Sequence, residues 1–295
     1  MSYEEVGGWS GGAYPPGAVV VGFNGREHSR SALLWAGAEA ARRSAPLLVL
    51  YAANYSGMTI EPGPGLHHRD PGALEAAEEV TAGGVAEVLE AHPGLVVAGA
   101  TEVTSPARAL IEASAVAALV VLGNRGHGRL LGALLGSVAF NVAARAPCPV
   151  IVVKDESAGR RPGPDNPVVV GTDGSPEAEV AVSFAADHAS AASAPLEVVT
   201  GTGGHQVKDV DERQLRASAH RIAEAAVARA GAAYAGLSIT THVEDSTAEV
   251  MLVERSADAG LVVVGTRGRG AFEGMLLGSV SHAVIHGAAC AVAVI

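Results

Sequence analysis

Five glycines fall within the fifteen residues at 123–137, GNRGHGRLLGALLGS. Glycine loses the most conformational freedom on folding, so this density marks backbone that must turn sharply or approach something closely. A phosphate fits both demands, because N–H groups in a concave loop without Cβ atoms bind an anion. Gly123, Gly126 and Gly128 are expected to supply positive φ and close approach. Gly136-Ser137 then opens a helical stretch, VAFNVAARA, that ends before Pro147. The free N–H groups of its first turn and the positive end of its dipole attract negative charge. The Ser137 hydroxyl suits either donation to a phosphate oxygen or an N-cap, and the two roles can coexist. The loop is not a Walker loop, since Leu135-Gly136-Ser137 contains no lysine, and no G-x-G-x-x-G follows the first apolar run.

The same pattern returns as GTRGRGAFEGMLLGSV at 265–280, identical at ten of sixteen positions to 123–138. The offset of 142 residues also carries Cys148 onto Cys290, and AVVVGFNG (18–25) pairs with PVVVGTDG (167–174). The chain therefore reads as a duplicated domain, 18–154 and 167–295. A Pro/Gly-rich exposed linker is expected at 155–166, and a disordered tail at 1–17.

Elements must position these loops. In the first copy, apolar runs at 18–23, 47–52, 95–100, 118–122 and 149–153 read as buried strands. Helical stretches lie between them, near 28–43, 72–91, 105–114 and 137–146. The second copy repeats the strands at 168–172, 196–200, 237–243, 261–264 and 291–295. Near-continuous Val/Ile/Leu strands alternating with helices predict an α/β fold: two tandem doubly wound, Rossmann-like domains, each a five-stranded parallel sheet with helices on both faces. Ligands of such sheets bind outside the carboxyl ends of the strands, where the strand order reverses. If strand one neighbours strand four, FNG (23–25) meets GNRGHGR (123–129), and TDG (172–174) meets GTRGRGA (265–271).

The pattern G-x2-G-x9-G-[ST] after the fourth strand resembles the ATP-binding signature of the universal stress protein family. It stands here as Gly123, Gly126, Gly136-Ser137 and again as Gly265, Gly268, Gly278-Ser279. The likeness covers nearly everything but the tail and linker, and it extends to VVVGTDGS (168–175), APCPVIVV (146–153) and AACAVAVI (288–295). It implies the adenine nucleotide alpha hydrolase-like form of the fold, and ATP, with Mg²⁺, as ligand of each copy. It further implies that Gly22, Asn24, Gly171 and Asp173 line the adenine side. The phosphates would be held by backbone at Gly123, Asn124, Arg125, Gly126, His127, Gly128, Arg129, Ser137 and Val138. In the second copy the matching residues are Gly265, Thr266, Arg267, Gly268, Arg269, Gly270, Ala271, Ser279, Val280 and Ser281. Asp173 is also the candidate metal ligand; the first copy departs from the family there, with an uncharged Asn24. Gly25-Arg26 likewise replaces Gly174-Ser175, so Arg26 either nears the anion or is a solvated charge. Arg125 and Arg267 are open to two readings, phosphate contact or hydrogen bonds to loop carbonyls.

Composition bounds the function. A net charge of −11 in 295 residues argues against non-specific nucleic-acid binding, and no apolar run is long enough to span a membrane. A soluble cytoplasmic protein is expected, with Cys148 and Cys290 as inert thiols and a reducing compartment. His282 and His286 at i, i+4 lack a third ligand at metal spacing, and His67-His68 have no partner cluster. No hydrolytic elbow, carboxylate pair or Cys/His arrangement is evident, so at most a weak ATPase is expected. An ATP-dependent pyrophosphatase of the related superfamily would show S-G-G-x-D-S after strand one, which GFNGRE and GTDGSP do not supply. A scaffold that has lost nucleotide binding is favoured only by Asn24. The resemblance adds a homodimer and an unidentified protein partner as expectations.

Overall fold

Runs of valine, leucine and isoleucine make the strands, because branched side chains favour extended backbone and pack on both faces of a buried sheet. The computed structural model describes residues 14–52, 71–124, 136–154, 159–203, 211–270 and 275–295. The chain divides into two compact units, the second beginning, among the described residues, at Ile151.

In order, the first half carries β1 (Val19–Gly22), α1 (Glu27–Arg43), β2 (Leu47–Ala52), α2 (Pro71–Ala91), β3 (Val97–Glu102), α3 (Pro106–Ser114), β4 (Leu119–Gly123), α4 (Ser137–Arg145) and β5 (Val150–Val153). Parallel pairing sets the order β3-β2-β1-β4. The chain enters β5 beside β4, where the Val120 N–H donates to the Pro149 carbonyl at 3.0 Å. The third strand starts two residues later than its apolar run, because Leu95 N–H turns back to the His92 carbonyl at 3.0 Å.

The second half repeats the plan with β6 (Val168–Gly171), α5 (Pro176–Ala191), β7 (Leu196–Gly201), α6 (Glu212–Ala233), β8 (Ile239–Glu244), α7 (Ala248–Arg255), β9 (Leu261–Val264), α8 (Ser279–Gly287) and β10 (Ala291–Val294). Its parallel order is β10-β9-β6-β7-β8. Helices pair as α1 with α2 and α3 with α4, then as α5 with α6 and α7 with α8, covering each sheet. Val19, Val21, Leu47, Val49, Leu119 and Val121 are fully buried, as are Val168, Val170, Leu196, Leu261 and Val263. Each such side chain contributes about 1.5–3 kcal/mol on leaving water, which is why unbroken apolar runs dictate the sheet.

Local chemistry ends the helices in register. Ser44 and Ser193 both sit at φ 52, closing α1 and α5 at equivalent points of the two copies. Ser175 caps α5 by accepting from Ala178 N–H at 3.3 Å, with Pro176 in the first turn. The segment ahead of β6 is less free than its composition implies. Arg160 donates to the Ala257 and Ser256 carbonyls. Arg161 and Pro162 lie so close to Gly260 that a Cβ there would overlap their backbone. Gly260, with no Cβ, leaves room for that backbone.

Candidate functional site

In both halves the first and fourth strands are hydrogen-bonded neighbours, β1 with β4 and β6 with β9, so the strand order reverses between them. Their carboxyl ends open onto the crevice that the fold rule assigns to a ligand.

In the second half, β6 leaves the sheet at Gly171 and turns through Thr172-Asp173-Gly174. The Asp173 carboxylate directs the turn: Oδ1 accepts the Ser175 N–H at 2.9 Å, and Thr172 Oγ1 accepts the Gly174 N–H at 3.2 Å. Gly174 lies at φ 74, a left-handed value that favours glycine. The other carboxylate oxygen, Oδ2, reaches across to the glycine loop after β9 and accepts the Arg269 N–H at 2.6 Å. Asp173 is thus a latch between segments 96 positions apart in sequence. Burial pushes its pKa up. The Ser175 hydroxyl, the Arg269 and Ser175 N–H groups and the Arg269 charge outweigh burial and hold it below the ordinary aspartate value.

The far side of the crevice is the start of α8. Gly278 occupies the N-cap in an extended conformation, and its N–H donates to the Thr266 carbonyl at 2.8 Å. The buried Ser281 hydroxyl donates to the Gly265 carbonyl at 2.6 Å, so it staples α8 to the strand exit. Ser279 and Val280 stand in the first turn, whose N–H groups have no intrahelical acceptor, and they line the crevice. The first copy is built alike: Gly136 is the N-cap of α4, its N–H donating to the Asn124 carbonyl at 2.9 Å. The cap therefore falls on the glycine rather than on Ser137 or Ser279, and neither serine hydroxyl is needed for capping.

Together these walls enclose a cavity of about 380 Å³ in the second half, within the range of small-molecule sites. Of the expected residues, Gly171, Asp173, Gly265, Arg267, Gly268, Gly270, Gly278, Ser279, Val280 and Ser281 line it. Thr266 contributes its carbonyl to the cap, and Arg269 keeps its N–H at the latch while its side chain turns elsewhere. Arg267 lies 4.0 Å from Glu177. Ala271 lies outside the described residues. Sequence reasoning missed Gly201, Ala248 and Leu252, which also line the cavity. They come from β7 and α7, elements with no motif of their own, though the repeat places Ala52, Pro106 and Leu110 at the matching wall of the first copy.

In the first half Gly22, Asn24, Gly123, Gly136 and Val138 line a smaller cavity of about 80 Å³, with Phe23 and Ser29. Asn24 Oδ1 accepts from Arg26 N–H at 3.1 Å and from the Ser29 hydroxyl at 2.8 Å, holding the turn after β1. Arg26 precedes α1 as an N-cap without a side-chain capping bond. The buried Asn124 Oδ1 faces no hydrogen-bond donor among the described residues. Arg125, Gly126, His127, Gly128 and Arg129 lie outside the described residues, as does Gly132; Ser137 is exposed at the first turn of α4.

The glycines act differently from expectation. Gly123, Gly265, Gly268 and Gly270 do not have positive φ; beside the two cavities the left-handed glycines among the described residues are Gly25 and Gly174, in the turns after β1 and β6. What Gly123 and Gly268 provide is space: a Cβ at Gly123 would overlap the His28 carbonyl, and one at Gly268 would overlap Asp173 Oδ2.

No group of three or more His, Cys, Asp or Glu side chains able to hold a metal occurs among the described residues. Burial raises the thiol of Cys148 to about 11 and that of Cys290 to about 12. A thiolate is the reactive form, so neither residue is expected to react appreciably with a thiol reagent at pH 8 in the native chain, whereas both should react in denaturant. Counting labelled thiols by mass spectrometry checks this, and prompt native labelling would contradict it. No helix among the described residues is long and apolar enough to cross a membrane.

Comparison with known proteins finds the same architecture. The profile of the universal stress protein family matches residues 17–154 and again 166–295. A universal stress protein of Mycobacterium tuberculosis is 36% identical over 283 residues, 92% of this chain and 94% of that protein. Another from Mycolicibacterium smegmatis is 33% identical over 290 residues, covering 94% and 96%. The crystal structure of a universal stress protein from Archaeoglobus fulgidus superposes with a TM-score of 0.69 at 22% identity, covering 94% of this chain and 97% of that one.

Proposed function

Since the chain belongs to the universal stress protein family, with two copies of the family domain, we propose that it is an adenine-nucleotide-binding regulatory protein whose ligand is ATP with Mg²⁺. The observation that carries this reading is the second-half cavity, where the Asp173 latch, the Gly265–Gly270 backbone and the unpaired first turn of α8 converge on one space. Backbone N–H groups at a helix start stabilise phosphate oxygens, and the apolar wall of Leu252 and Ala248 suits a purine face. Asp173 is the carboxylate among the described lining residues. Mg²⁺ bound there would draw most of its ligands from phosphate oxygens and water, and would offset phosphate charge.

Both Asp173 oxygens already accept backbone N–H groups, so the carboxylate serves loop geometry better than proton abstraction. We therefore propose slow or negligible hydrolysis, with the nucleotide ordering the glycine loop. The first cavity, with Asn24 in place of the latch, is proposed to bind more weakly.

The test is mass spectrometry of ligand released from the purified, denatured protein, followed by calorimetric titration with ATP and Mg²⁺. Asp173→Asn removes a charge-assisted bond and is expected to weaken the tighter site about tenfold. Asn24→Ala should change it little. Failure to find or bind any adenine nucleotide would overturn the proposal, and equal losses from both substitutions would overturn the asymmetry.

A further inference from the structure

The Arg269 side chain does not enter the nucleotide cavity. It crosses Gly174, donating to that residue's carbonyl at 3.1 Å, into a neighbouring cavity of about 340 Å³ between α5 and α6. Gly174 makes this crossing possible, because a Cβ there would come within 2.7 Å of the Arg269 guanidinium. Arg221 and Arg229 of α6 line the same cavity. Arg221 donates Nε to the Ala217 carbonyl of its own helix at 3.4 Å and has no carboxylate partner among the described residues. Arg229 pairs with Glu179 of α5 at 2.6 Å. Val182 and Ile222 form an apolar wall. Three guanidinium groups thus line the cavity with one carboxylate, Glu179, and Arg269 also stands beside the Asp173 carboxylate of the latch, in a chain whose net charge is −11.

Comparison of the two copies separates what the fold needs from what is special here. Val80 meets Gly25 as Ile222 meets Gly174, so α2 and α6 align at an offset of 142 residues. At that alignment Arg30 and Glu87 form an ion pair at 2.6 Å in the first copy, where Glu179 and Arg229 form it with signs reversed in the second. Either sign serves packing. The excess positive charge comes from Arg221, which replaces Glu79, and from Arg269.

We propose that this α5–α6 cavity is a second anion site, separate from the nucleotide cavity, that takes a phosphate group carried free or on a small monoester. Guanidinium forks bind phosphate oxygens in pairs, and a dianion relieves the mutual repulsion of the three arginines. The wall of Val182 and Ile222 would receive the ester's organic part.

The test is calorimetric titration of the full chain with inorganic phosphate and, separately, with phenyl phosphate. Arg221→Ala is expected to weaken the preferred probe about tenfold, as loss of a charged hydrogen-bonding group does. Glu179→Gln frees Arg229 and removes the opposing charge, so it should tighten the same probe several-fold. The opposite signs belong to this cavity, because a phosphate held by the glycine loop would respond to neither change. Tighter phenyl phosphate identifies an ester as ligand, and equal or tighter inorganic phosphate identifies the free anion. No saturable binding of either probe, binding unmoved by both substitutions, or weakening by Glu179→Gln would overturn the site. Both altered residues differ from the latch, so failure of ATP binding leaves this result readable.

Discussion

Gly268→Ala is expected to weaken ATP at the second cavity about thirtyfold, through loss of the charged hydrogen bond between Asp173 and the Arg269 N–H. The glycine is not there for an unusual φ. It is there because Asp173 Oδ2 lies where a side chain would begin, closer than 3.0 Å to any Cβ built at 268. Alanine must push the loop and the carboxylate apart, and the 2.6 Å bond is the contact that gives way. Two readouts check this: calorimetric titration with ATP, and hydrogen exchange at the Arg269 amide, which should accelerate even without nucleotide. Unchanged exchange would show that the loop accommodates a methyl group. The latch also has a pH sign. Its folded pKa is depressed, so the stabilisation is complete above the ordinary aspartate value near 3.9 and is lost as pH falls through the lower folded value. Near neutral pH the carboxylate is ionised and the loop is held.

Gly123→Ala is expected to cost about 3 kcal/mol, the upper range for forcing a methyl group into a packed contact. A Cβ at 123 would lie closer than 3.0 Å to the His28 carbonyl oxygen. Both partners are backbone: the end of β4 and the first turn of α1. Neither can rotate aside as a side chain would, so the strand and helix must separate. The matched substitution Gly265→Ala should cost much less, because its nearest neighbours, the Arg267 carbonyl oxygen and the Glu177 carbonyl carbon, stand at 3.1 and 3.2 Å. Denaturant unfolding of the two variants beside the parent protein measures both, and equal midpoints for Gly123→Ala and the parent would refute the steric argument.

The strands were legible in the chain because their signal is local and redundant. VVVG at 19–22 and at 168–171 must be buried on both faces, and a parallel sheet between helices provides that. The glycine signature was legible for the same reason: its spacing recurs, and its place after the fourth strand follows from the order of elements. The sequence could not reveal which task each glycine performs. Positive φ was expected at Gly123, yet it falls on Gly25 and Gly174, and close approach falls on Gly123 and Gly268. That assignment depends on what stands opposite each residue.

By itself, then, the sequence determined the duplication and the alternation of strands and helices, and with them the crevice that the fold rule marks as the candidate site. These follow from apolar burial and from backbone geometry over a few residues. Only the tertiary structure decided that Asp173 latches the loop, that Ser281 staples α8 and that the Arg269 side chain lies in the α5–α6 cavity. The Asp173–Arg269 bond joins residues 96 positions apart, and no spacing rule reaches that far. A hydrogen bond forms where the fold brings donor and acceptor within about 3 Å, and that distance is set by the packing of whole elements.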